Sequence, residues 1–306
     1  MTQQSFRRLT SLVFVLGALV LFNLAAMAQT NLSDTRPGSV LFFNRYTSNP
    51  NTAQQADTQI NITNTNANDS AAVHLFFVDG ATCSIADFIL SLTPSQTVSF
   101  LMSDLDPGVD GYIIAVATEG GVPTQFNWLV GSAYIRENDG RQATLPATTI
   151  TKLSPGPIDQ GLDGNYRLTF NGTDYDRLPN AVAVTSFNSE TTDSNNLIIY
   201  SPTTNLTFGS ADPINTFVLL FDDQENSISS SFTLRCYKVD SFTSLFNRSG
   251  GINRHVPAGR TGWVKISSTG RPLLGSVISR GPGFSGGYNL PAVGTLPNFE
   301  IIIPVY

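Results

Sequence analysis

One ordered pattern of short apolar stretches occurs twice along this chain, and that duplication limits the fold more than any single motif does. In the first half Val40-Leu41-Phe42-Phe43 leads through a loop rich in Asn, Thr, Ser and Gln to the alternating stretch Thr58-Gln59-Ile60-Asn61-Ile62-Thr63-Asn64. In the second half Val182-Ala183-Val184-Thr185 leads through a similar loop, residues 188–196, to Leu197-Ile198-Ile199-Tyr200. The order continues in step, with residues 74–79 answered by 217–222 and residues 84–90 by 227–234. Each half then passes a proline-marked turn, at Pro94 or Pro257. Each closes on a pair of stretches, 111–116 with 129–135 and 262–266 with 274–278.

Short stretches bounded by Gly, Pro, Asn and Asp are the mark of antiparallel sheet, and no amphipathic 3.6-residue period intervenes to build βαβ units. The expected fold is all-β, with two tandem antiparallel β-sandwich domains, Ig-like or jelly-roll-like, at residues 36–150 and 165–306. The Pro/Gly-rich stretch around Ser154-Pro155-Gly156-Pro157 predicts a linker over 151–164. Residues 75–78 and 217–221 are apolar at every position, which predicts strands that are central or shielded on both faces. Residues 58–64 alternate and predict a strand with one wet face.

Composition agrees. The chain holds 24 Asn, 30 Ser and 32 Thr but only three Lys and five Glu, and 13% of its residues are charged. Exposed helices need Lys and Glu, whereas Asn and Ser compete with the helical backbone and Thr favours strands. With 41% hydrophobic residues and 20 Phe the chain has ample material for a core. Residues 1–28 read as a cleavable signal peptide, with Arg7 and Arg8 before an apolar run and Ala26-Met27-Ala28 as the processing site. The expected location is therefore secreted or cell-surface, periplasmic or extracellular. The net charge is −6 with that segment present, and loss of its two arginines makes the chain more acidic, which excludes a nucleic-acid partner. No later stretch reaches transmembrane-helix length. A transmembrane β-barrel is set aside because residues 299–304 do not alternate and Pro304 would break the ladder.

Cys83 and Cys236 leave two readings open, a disulfide between the halves or two buried thiols. Gly283-Phe284-Ser285-Gly286-Gly287 fits the G-x-S-x-G pattern, but no helix follows it and both histidines, His74 and His255, lie upstream, so the nucleophile-elbow reading fails. A chymotrypsin-like order of His74, an aspartate and Ser285 stays as the enzymatic alternative, although Phe284 stands where that family carries an acid. No zinc spacing and no phosphate-binding glycine pattern occurs. Two acidic loops are candidate structural calcium sites: Asp104, Asp106 and Asp110 in the first, Asp222, Asp223 and Glu225 in the second. Neither has the glycine and bidentate Glu of an EF-hand, and turn-capping explains both. No other cofactor is expected. Tyr112, Trp128, Tyr134, Trp263 and Tyr288 are candidate ligand-stacking residues. Tyr112 and Trp263 each follow a glycine at equivalent positions, which equally suits a shared core residue.

The segments Ala72-Val73-His74-Leu75-Phe76-Phe77-Val78-Asp79-Gly80, Asp106-Pro107-Gly108, Gly111-Tyr112-Ile113-Ile114-Ala115-Val116-Ala117 and Pro257-Ala258-Gly259-Arg260-Thr261-Gly262-Trp263 resemble a family of secreted bacterial proteins of unknown function. The resemblance spans most of the mature chain and implies a bacterial exported protein, without implying any site residue. The expected function is non-enzymatic: a structural, adhesive or ligand-binding role at or outside the cell surface, with an extracellular protein or glycan as partner. A carbohydrate-binding module is the alternative.

Overall fold

Stretches rich in Val, Ile, Phe and Thr become strands because branched and aromatic side chains pack well on a pleated surface. The computed structural model describes residues 34–305 apart from 50, 52–54, 157, 189–193, 210–211, 247–250 and 258, so the expected signal peptide lies outside the described residues. Among the described residues, helix is confined to single turns such as Met102–Leu105 and Phe242–Leu245.

The chain is all-β, but its layout corrects the expectation of two tandem β-sandwich domains. The strands form five small sheets arranged as the blades of a five-bladed β-propeller. In spatial order, sheet I holds Thr148–Ile150, Val40–Thr47, Asp110–Glu119, Ala71–Asp79 and Ile85–Leu92, with Val122–Pro123 on its third strand. Sheet II holds Thr97–Leu101, Asp57–Asn64, Leu129–Arg136 and Gln142–Pro146. Sheet III is small: Asp159–Gln160, Tyr166–Thr169 and Glu300–Ile303. Sheet IV holds Ala292–Gly294, Ala181–Asn188, Thr261–Ser268, Ile214–Asp222 and Ser227–Leu234, and sheet V holds Tyr237–Ser241, Ser194–Tyr200, Leu274–Gly281 and Phe284–Asn289. No sheet is a meander of consecutive strands; each draws on segments distant in the chain.

The physical reason for the correction lies in sheet I, which is dry on both faces. Leu41, Phe43, Val73, Leu75, Phe77, Ile113 and Ala115 pack with Ile60, Ile62, Ala133 and Ile135 of sheet II. Val40, Phe42, Phe76, Val78, Tyr112, Ile114 and Val116, on the opposite face, pack with Leu168, Ile301 and Ile303 of sheet III and with Tyr200 and Leu274 of sheet V. A sheet in a two-layer domain needs only one dry face. Here the end of the chain returns to cover the first half, and the two halves share a core. A third cluster joins Val182, Val184, Val218, Leu220, Val264 and Ile266 of sheet IV to Leu197, Ile199 and Val277 of sheet V.

Strand order in sheets I and IV nevertheless corresponds strand for strand, as it does in sheets II and V. Even an irregularity is repeated: the register shifts between Phe43 and Tyr46 against one neighbour, and between Val184 and Phe187 against the equivalent one. These bulges face Gly111 and Gly262 (Tyr46↔Gly111, Phe187↔Gly262). A Cβ on Gly111 would lie 1.9 Å from the Val78 carbonyl oxygen, and one on Gly262 would lie 2.7 Å from that of Phe221. Only glycine fits either position.

Candidate ligand-binding face

The five aromatic residues expected to stack on a ligand do not meet. Tyr112 is fully buried, its ring stacked 4.1 Å from that of Tyr200 and its hydroxyl accepting from the Thr203 amide at 3.0 Å. Burial pushes its phenol well above the usual tyrosine range. Trp128 is 48% exposed beside sheet II; Tyr134 is 38% exposed on sheet II and donates to Gln142 Oε1 at 3.0 Å. Tyr288 lies on sheet V, half-buried against the third core cluster. Trp263 belongs to an exposed surface on which further aromatic side chains stand beside it.

That surface is the outer face of sheet IV. Along Ile214–Asp222, Thr216, Val218 and Leu220 turn inward, so Asn215, Phe217, Leu219 and Phe221 turn outward. The adjacent strand buries Val264 and Ile266 and presents Trp263, Lys265 and Ser267. Cross-strand register places Phe221 beside Trp263, Leu219 beside Lys265 and Phe217 beside Ser267. On the other flank Ser227, Ser229, Ser231 and Thr233 stand opposite Phe221, Leu219, Phe217 and Asn215. Phe217 is 47% exposed and Trp263 38%, and the Phe221 and Trp263 rings stack at 4.6 Å and 9°. The result is an apolar ridge bordered by a row of exposed hydroxyls. Of the two expected alternatives for residues 217–221, central or shielded on both faces, the structure shows the first: the strand is paired on both edges, and its outer face is open. The signal that could have exposed the wet face is the serine at every second position of the neighbouring strand, Ser227, Ser229 and Ser231.

At the free edge of the sheet, a cleft of 760 Å³ is lined by Asn215, Ser231, Phe232, Thr233, Lys238 and Asp240. Lys238 Nζ lies 2.6 Å from Asp240 Oδ2 and 5.7 Å from the centre of the Phe232 ring, so the cleft carries an internally neutralised pair.

The other candidates are dispersed. His74 is 2% exposed, its ring 4.0 Å from that of Phe76 and tilted 35° to it, and its Nε2 lies 2.9 Å from Asp87 Oδ2. Burial pulls the imidazole below its usual range, with Asp87 opposing. The orienting carboxylate that the sequence does not specify is thus present, supplied by cross-strand register. Ser285 is held elsewhere: its Oγ donates to the Gln142 carbonyl and accepts from the Gln142 amide, both at 2.7 Å. The protease order is not assembled.

The acidic loops also divide their carboxylates. Asp106 accepts from the Tyr46 hydroxyl at 2.6 Å, and burial raises its carboxyl above the usual range, with the Tyr46 bond opposing. Asp110 pairs with Arg45 at 3.6 Å, while Asp104 lies exposed in the first turn of Met102–Leu105. Asp222 accepts from the Gln224 and Asn226 amides, Asp223 pairs with Arg260 at 2.9 Å, and Glu225 sits in the turn at positive φ. Among the described residues no group of three or more His, Cys, Asp and Glu is placed to hold a metal ion. Of the two readings for the cysteines, the structure forms the disulfide between Cys83 and Cys236. No helix among the described residues is long and apolar enough to cross a membrane.

Sequence reasoning also missed an interface network. Asn44 Nδ2 donates to the Gly275 carbonyl at 3.0 Å and to Asn289 Oδ1 at 2.9 Å, and Tyr200 donates to Asn44 Oδ1 at 2.8 Å. Beside it, Arg45 reaches Glu137 Oε1 at 3.1 Å and the Tyr237 hydroxyl at 2.9 Å. Both residues sit in the bulge of their strand, which turns two consecutive side chains toward the other half.

No family model matches the chain, and no curated protein matches it. Solved structures resemble it distantly. The Thermotoga maritima 1070 structure is 13% identical over 37% of this chain and 92% of its own, with a TM-score of 0.28. The PBSX exported protein XepA is 8% identical over 78% of this chain and 85% of its own, at 0.23. PNGase F, a glycosylasparaginase from Flavobacterium meningosepticum, is 7% identical over 87% of this chain and 93% of its own, at 0.23. At these scores the likenesses carry no conclusion about what this chain does.

Proposed function

We propose that this chain is an exported, non-enzymatic binding protein that works at or outside the cell surface and takes a glycan on the outer face of sheet IV. The observation that carries the reading is a difference between equivalent faces. In sheet I the positions matching Leu219, Phe221 and Trp263 are Phe76, Val78 and Tyr112, all buried in the core that sheet I shares with sheets III and V. In sheet IV the same face stays open and keeps Phe217, Phe221 and Trp263, while its flank has turned to serine. Exposed apolar side chains gathered into one patch mark an interaction site, whereas singly scattered ones do not. Aromatic π-faces suit the C–H faces of sugar rings, and the neighbouring hydroxyls suit sugar hydroxyls. The dispersal of His74, Ser285 and the acidic residues supports the non-enzymatic half of the reading.

Fluorescently labelled chain on a microarray of neutral and acidic glycans tests this. Wild type should bind a subset, and Trp263→Ala and Phe217→Ser should each lose at least tenfold in signal while keeping the wild-type circular dichroism and melting temperature. A blank array for wild type, or unchanged binding by both variants, rejects the reading.

A further inference from the structure

The ridge contains one charge, and that charge is placed where a sugar substituent would fall. Of the three lysines in the chain, two are occupied: Lys152 Nζ donates to the carbonyls of Ser154 and Gly156, and Lys238 pairs with Asp240. The third, Lys265, projects outward from the middle of the ridge. It lies between Trp263 and Ser267 along its strand and beside Leu219 across it. Among the described residues it makes no ion pair. Its outward neighbours, Ala183 and Leu219 across the two flanking strands and Trp263 and Ser267 along its own, include no carboxylate. The acids at the end of the ridge have other partners, Asp223 on Arg260 and Asp222 on the amides of its own turn. A chain with 23 acidic and 17 basic residues thus leaves one cation without an acid on the face where Phe217 and Trp263 are exposed.

We infer that the ligand is an acidic glycan, a chain bearing uronic acids, with Lys265 receiving a carboxylate while Trp263 and Phe217 stack on sugar rings to either side. This rests on the glycan-binding reading above and adds the charge class of the ligand. Side chains two residues apart on one strand stand about 7 Å apart. A ring stacked on Trp263 therefore brings its exocyclic group within reach of the long lysine side chain, and the serine row offers hydroxyls to the opposite edge. A neutral glycan would leave the ammonium with water alone. The contact is solvent-exposed, so its contribution should be modest and screened by salt.

The test is isothermal titration of the full mature chain with hexamers of galacturonic acid, mannuronic acid and hyaluronan, with cellohexaose as the neutral probe, at low and at physiological salt. Short oligomers avoid avidity along a polymer. At least one uronate hexamer should bind more tightly than cellohexaose and weaken as salt rises. Lys265→Gln should weaken it about fivefold and flatten the salt dependence, Lys265→Arg should restore both, and Trp263→Ala should abolish binding of every hexamer. If cellohexaose binds as tightly as the uronates, or Lys265→Gln binds uronates like wild type, the acidic-glycan inference falls while glycan binding stands. If no hexamer of either class binds, the inference falls together with the reading beneath it.

Discussion

At the scale of single residues, the most consequential side chains are polar ones at buried positions, and their roles depend on partners far away in sequence. Arg45 and Glu137 pair with side chains only 7% and 8% exposed, so removing one member leaves a charge without compensation in a dry interface. Arg45→Ala is expected to cost about 3–5 kcal/mol in urea unfolding, and Arg45→Met combined with Glu137→Leu should recover much of the loss. His74 acts through pH. Its native pKa lies below the ordinary 6.5, so the native imidazole stays neutral where the unfolded chain takes up a proton. The stability it contributes is present above pH 6.5 and is lost as pH falls through that value toward the lower native pKa. Urea midpoints measured from pH 7.5 down to 5 should therefore fall, and fall less steeply in His74→Phe. Nothing in the run of residues 72–79 marks His74 as buried against a carboxylate, because Asp87 reaches it only through pairing between strands.

At the scale of elements, the duplicated pattern in the sequence carried far. Strand order, the single helical turn after the equivalent strands Thr97–Leu101 and Tyr237–Ser241, and the glycine before Tyr112 and Trp263 recur in both halves. The alternation of residues 58–64 also appears in the structure, with Ile60 and Ile62 buried and their neighbours half-exposed. What the pattern could not reveal is the bulge, since an extra residue in one strand has meaning only against its partner. The two glycines offer a direct comparison. Gly111→Ala drives a Cβ into backbone oxygen at 1.9 Å, whereas Gly262→Ala meets the Phe221 oxygen at 2.7 Å and the Phe187 ring at 2.9 Å. Both should destabilise by more than about 1 kcal/mol, Gly111→Ala the more severely, as read from thermal melts of the two variants.

At the scale of the whole molecule, the halves are held together by a shared core, the polar network of Asn44 and Arg45, and the Cys83–Cys236 bridge, which spans 153 residues of sequence. A cross-link over so long a loop removes much freedom from the unfolded chain. Cys83→Ala with Cys236→Ala is expected to lose about 2–4 kcal/mol, seen as a lower urea midpoint that matches wild type under full reduction. Return of Glu300–Ile303 to pair with Tyr166–Thr169 completes the cover of sheet I, which is why the two halves do not stand as separate two-layer domains.

By itself the sequence determined the all-β class and the duplicated order of strands, because period-two alternation, turn residues and propensity are local properties written along the chain. Only the tertiary structure decided which faces are covered. Phe76, Val78 and Tyr112 are core while Leu219, Phe221 and Trp263 form an open ridge, although each set fits the same pattern. Burial belongs to what lies opposite a residue, and here that was settled by sheets III and V packing over the first half and leaving the equivalent face of sheet IV open.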